Sequence, residues 1–117
     1  MKTNYTPLDP TPEEYEWKTE AVELQICANN DREIYKKFLE PIEHNFMRKV
    51  KKGTFDPEKA VKAYELALRT AAKKYAKYNA EEKEWSQIFP AVARRYTAKI
   101  LINVFIENIP FELEENK

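Results

Sequence analysis

The chain has 117 residues, with 20 basic and 20 acidic side chains but one glycine, one cysteine and one histidine. Its length suits a single domain, which on folding buries roughly 65–70% of the surface the unfolded chain exposes. A lone cysteine excludes a disulfide framework, and a single glycine excludes Gly-rich phosphate loops and argues against a turn-dense all-β fold.

Residues 1–10 carry Pro7 and Pro10 and no hydrophobic period, so they read as an extended arm ahead of one domain over 11–110. The opening residues lack the apolar core of a signal peptide, and the longest apolar run, Ile100 to Ile106, is interrupted by Asn103. No stretch reaches the roughly 18–20 apolar residues of a membrane span, so a soluble, cytoplasmic protein is expected.

Helix signals then follow in chain order. Thr11-Pro12-Glu13-Glu14 has the spacing of a capping box with proline at the first helical position, opening a helix over 12–28. Within it Val22, Leu24 and Ile26 alternate with polar residues, so a two-strand pairing of 20–28 with 99–106 is an alternative. Asn30, three residues before Glu33, caps a second helix over 31–52, where Pro41 predicts a kink or break near 38–41. Gly53 follows the basic turn Arg48-Lys49-Val50-Lys51-Lys52 and marks a helix end.

Asp56-Pro57 opens the clearest helix, 57–78. At 100° per residue, Ala60, Val61, Tyr64, Ala67, Leu68, Ala71, Tyr75 and Tyr78 share one side, and Lys59, Lys62, Arg69, Lys73 and Lys77 the other. Asn79 with Glu82 caps a short helix over 80–88 that carries Trp85, and Pro90 separates it from a last helix ending at Pro110, before an acidic tail over 111–117. The expected fold is all-α, a small bundle of four to five helices with a long apolar C-terminal helix. In that helix, apolar residues point in nearly every direction. It is therefore either central to the bundle or covered by a partner or second copy through Ile100, Leu101, Ile102, Phe105 and Ile106.

Chemistry has few candidates. One imidazole excludes His pairs for zinc, and there is no Cys-x-x-Cys. Cys27 reads as a small buried hydrophobe, and Glu40 with His44 as a solvated helix face, because di-metal bundles need further inward carboxylates. No catalytic residue, metal or cofactor is expected.

Charge is unevenly distributed: the net is −4 over residues 1–30, +6 over 31–78 and −2 over 79–117. The middle segment supplies a candidate basic face from Arg48, Lys49, Lys51 and Lys52 together with Lys59, Lys62, Arg69, Lys73 and Lys77. Such a face suits nucleic acid or an acidic protein surface, although the tyrosines of helix 57–78 lie opposite the lysines and form no stacking platform among them. The acids Glu13, Glu14, Glu16, Glu20 and Glu23 could match this stripe within one chain or across a dimer.

The run Lys51-Lys52-Gly53-Thr54-Phe55-Asp56-Pro57-Glu58-Lys59-Ala60-Val61-Lys62, with Ala71-Ala72-Lys73-Lys74-Tyr75-Ala76-Lys77 and Phe89-Pro90-Ala91-Val92-Ala93-Arg94, resembles small uncharacterised helical proteins of bacteriophages, plasmids and metagenomes. The likeness covers residues 48–106 and implies a compact helical unit from a mobile element, with no functional residue to carry over. The expected function is a non-enzymatic binding or accessory protein acting by protein–protein contact, in host-factor modulation or assembly. A nucleic-acid-binding accessory protein using the stripe of helix 57–78 is the alternative.

Overall fold

The computed structural model describes residues 5–79 and 89–115, with 74–79 and 111–115 as backbone alone. The expected short helix over 80–88, with Trp85, lies outside the described residues, as do the side chains of Tyr75, Lys77, Tyr78 and the expected cap Asn79.

The described elements are helical throughout: α1 (Pro12–Tyr15), α2 (Lys18–Asn30), α3 (Arg32–Ile34), a π-helical turn (Tyr35–Leu39), α4 (Glu40–Lys52), α5 (Pro57–Asn79) and α6 (Ala91–Glu115). No strand occurs among the described residues, so the two-strand alternative is replaced by helix at both 20–28 and 99–106. None of the described helices is long and apolar enough to cross a membrane.

The caps follow from local chemistry. Thr11 Oγ1 accepts from the Glu14 amide at 3.1 Å and Glu14 Oε1 accepts from the Thr11 amide at 2.9 Å, closing the capping box. The expected single helix over 12–28 nonetheless divides. The Trp17 amide bonds the Glu14 carbonyl three residues back, and Trp17 leaves helical geometry at φ −103°, ψ 24°. This turn lets Glu14 face α6 while α2 directs Ala21, Leu24 and Ala28 into the core.

The second correction concerns residues 30–41. The capping side chain is Asp31, which accepts from the Ile34 amide at 3.0 Å, whereas Asn30 is the last residue of α2. Pro41 neither breaks nor ends the helix. In a regular α-helix its ring would crowd the carbonyl four residues back. Here the preceding turn widens, and the Glu40 amide bonds the carbonyl of Tyr35, five residues back. The proline is thus absorbed by one extra residue in the turn.

Gly53 ends α4 at φ 74°, ψ 19°, with the Gly53 amide on the Val50 carbonyl (3.1 Å) and the Thr54 amide on the Lys49 carbonyl (2.8 Å). This is the Schellman pattern, in which a left-handed residue satisfies the last carbonyls. A Cβ added there meets nothing within 4 Å, so only backbone conformation opposes a side chain. Gly53→Ala is expected to cost about 1 kcal/mol from the left-handed backbone alone, read as a lowered urea midpoint with an unchanged slope.

A third correction falls on α6. Pro110 does not end it; the helix continues to Glu115, so residues 111–115 of the expected acidic tail are helical. α6 is the central helix, packed along α5 and α2 and carrying α1. Leu101, Ile102, Ile106 and Ile109 are buried in the chain's own core. The expected partner face is therefore corrected: three of its five residues are already covered from inside, while Ile100 and Phe105 are half-buried.

The interruption of the apolar run by Asn103 also gains a reason. Its side-chain amide grips the arm as a neighbouring strand would, with Oδ1 accepting from the Leu8 amide (2.7 Å) and Nδ2 donating to the Leu8 carbonyl (2.8 Å). Tyr5 packs edge-on against Phe55, with ring centroids 5.2 Å apart.

Candidate functional site

A groove of about 690 Å³ opens between α2, the π-helical turn, α4 and α6. Met47 of α4 and Leu101, Val104 and Phe105 of α6 form its apolar part. Tyr35, Glu40, Glu43 and His44 line one end, and Arg48 and Lys51 the other. The amide side chains of Gln25, Asn29 and Asn108 line it from α2 and α6.

The π-helical turn shapes this site. In a regular helix Tyr35 and Glu43, eight residues apart, would differ by about 80° around the axis. One residue absorbed by the wide turn leaves about seven regular steps, within about 20° of two full turns, so both residues share a face. The Tyr35 hydroxyl donates to Glu43 Oε2 at 3.0 Å, and the buried Tyr64 hydroxyl donates to Glu43 Oε1 at 3.2 Å. Burial, with the Glu43 charge beside it, pushes the Tyr64 phenol well above its ordinary range, so it stays protonated and remains a donor. The Glu43 carboxylate therefore ties the π turn, α4 and α5 together at one end of the groove.

The structure brings two sequence-predicted surfaces together here. Arg48 and Lys51, from the basic cluster, share the groove with Leu101 and Phe105 of the expected partner face. His44 and Glu40 also meet there, with His44 Nε2 3.9 Å from Glu40 Oε1 on one helical face. Among the described residues no group of three or more His, Cys, Asp or Glu side chains is placed to hold a metal ion. Cys27 is half-buried on α2 rather than fully buried, and does not line the groove.

The other basic residues lie elsewhere. Lys49 and Lys52 are exposed on α4, and Lys59, Lys62, Arg69 and Lys73 are exposed along α5 with Leu66 among them at 70% exposure. Lys62 lines a second cleft of about 810 Å³ between the arm, α5 and α6, which it shares with the carboxylates of Asp9, Asp56, Glu58 and Glu65. Burial raises the Glu65 carboxyl and lowers the Arg94 guanidinium, each partly offset by the other's charge.

Sequence reasoning missed the role of Glu14, whose side chain is 1% exposed. It accepts from Arg95 Nε and Lys99 Nζ, both at 2.7 Å, and not from the α5 stripe. Burial alone would raise its carboxyl, but hydrogen bonds from Lys99, Thr11 and Arg95 outweigh that and hold it below its ordinary value. The sequence signal was present in the capping box, which fixes Glu14 at the arm's end; its partners are 81 and 85 residues away.

Compared with known proteins, the chain matches no family model, no curated protein and no solved structure. Its functional reading rests on its own residues.

Proposed function

We propose that this chain is a non-enzymatic binding protein whose groove between α2, α4 and α6 receives a helical segment of a protein partner. The observation that carries the reading is the apolar lip. Val104 lines the groove beside Leu101 and Phe105 yet is 43% exposed. A small molecule enclosed in the groove would leave this side chain in water, whereas an amphipathic helix laid along it covers it. Host-factor modulation or assembly is the setting that such a protein–protein contact would serve.

Nucleic-acid binding through α5 is the less favoured reading, because Lys62 shares its cleft with four carboxylates and the basic cluster of α4 turns Arg48 and Lys51 into a different groove. Capture from bacterial lysate, with and without nuclease, compares the two. A protein retained by the wild type after nuclease treatment should be lost with Val104→Glu, at unchanged thermal stability. Retention that survives Val104→Glu but disappears on nuclease treatment, or when Lys59, Lys62, Arg69 and Lys73 are replaced by Glu, would put the nucleic-acid reading in its place.

A further inference from the structure

The groove is charged in order along its length, and we infer that it takes its helical partner antiparallel to α4, acidic end against Arg48 and Lys51. The inference rests on the groove reading above and adds the chemistry and direction of the occupant.

Among the described residues, all charged side chains lining the groove, and its imidazole, come from α4. Glu40 and Glu43 stand in the first turn, with His44 following, and Arg48 and Lys51 in the last turns. From Glu40 to Lys51 is about 16 Å along the axis, the length of about three helical turns. Among the described residues, the polar side chains on the walls that face α4 are the neutral amides Gln25, Asn29 and Asn108, which do not favour either direction. The two phenols that donate to Glu43 are neutral as well.

A helix lying antiparallel to α4 sets its first turn beside Arg48 and Lys51 and its last turn beside Glu40 and Glu43. Acidic residues at the start and basic residues at the end would then meet opposite charges at both places. The same order suits the partner's own macrodipole, and antiparallel placement sets opposite dipole ends of the two helices side by side. A parallel helix would need the reverse charge order, against its own dipole. The fit is thus to a segment of about three turns with Asp or Glu in its first turn, Lys or Arg in its last, and an apolar stripe between them.

The test is a display library of 14-residue peptides, with Leu fixed at an i, i+3, i+4, i+7 stripe and the remaining positions randomised between Glu, Lys and Gln. The full-length protein is the bait, and Val104→Glu is the counter-selection. Enriched sequences should carry Glu in the first turn and Lys in the last. Synthetic winners should bind at least tenfold tighter than the same peptides with the charge order reversed. Replacing Arg48 and Lys51 by Glu should remove that preference while leaving the circular dichroism spectrum unchanged. Groove-dependent binders with no charge order, or with the opposite one, would overturn the polarity and leave the groove reading standing. If no peptide is enriched, or if the winners bind Val104→Glu equally well, the groove reading fails and the polarity with it.

Discussion

Glu14→Gln is expected to destabilise the protein by about 2–4 kcal/mol, more than any other single charge substitution on the described helices. Its side chain is 1% exposed and accepts charge-assisted hydrogen bonds from Arg95 and Lys99, whose side chains are 44% and 15% exposed. Removing one partner of a buried pair costs about 3–5 kcal/mol when the orphaned charge stays buried. Arg95 can turn into water and discounts that cost, whereas Lys99 cannot readily do so. For a chain of this size the loss corresponds to roughly 10 °C in melting temperature.

The pH dependence has a defined sign. The folded protein holds the Glu14 carboxyl below its ordinary value, so the native state keeps it ionised where the unfolded chain binds a proton. Its stabilisation is complete above the unfolded value near 4.5 and is lost as pH falls through the lower folded value. Wild-type melting temperature should therefore fall on acidification below about pH 4.5, and the Glu14→Gln variant should lack this part of the slope. Combining Glu14→Gln with Lys99→Met should cost less than the sum of the two single changes, because the second removes the stranded cation. Additive losses would show that the pair contributes no coupling.

How much of this was legible in the sequence depends on the distance over which each feature is decided. The Thr11–Glu14 box, the Asp56-Pro57 start and the Gly53 stop involve groups within five residues, and each has its predicted geometry. The buried face of α5 from Ala60 to Ala71 likewise follows from helical period alone. Pro41 announces a disturbance, but its form depends on whether the Glu40 amide can reach the Tyr35 carbonyl, and a π turn needs no residue type of its own. The groove was not legible because it draws on segments near 25–29, 35–51 and 101–108. Its basic end and its apolar floor are both visible in the sequence, as separate surfaces. The apolar surplus of 100–106 reads as open to a partner because a sequence does not say how many helices surround another. Here α2, α5 and the arm pinned by Asn103 cover most of it.

Phe46→Ala is expected to be the most damaging core substitution, at about 4 kcal/mol for deletion of a buried phenylalanine side chain. Phe46 is 3% exposed, and its ring lies 5.4 Å from Phe55, 5.4 Å from Tyr64 and 5.7 Å from Phe105, centroid to centroid. Those rings belong to the loop after α4, to α5 and to α6, and Tyr5 extends the cluster to the arm. Phe46 and Val50 are the buried residues of α4, so this ring is the main apolar tie between α4 and the bundle. Edge-to-face contacts of this kind add about 0.5–1.5 kcal/mol per pair beyond area burial. Leucine restores much of the volume without the ring geometry, and Phe46→Leu should cost about 1–2 kcal/mol. Urea unfolding measures both, and a loss below about 1 kcal/mol for alanine would show that the cluster collapses around the gap. The consequence for binding is separable from global stability. Among the described residues α4 carries every charged side chain of the groove, and Phe105 belongs to both the groove and the aromatic cluster. Loosening Phe46 frees α4 from that floor first, so amide exchange should accelerate in 40–52 before it does in α5, and helix binding should weaken at temperatures where the bundle is still folded.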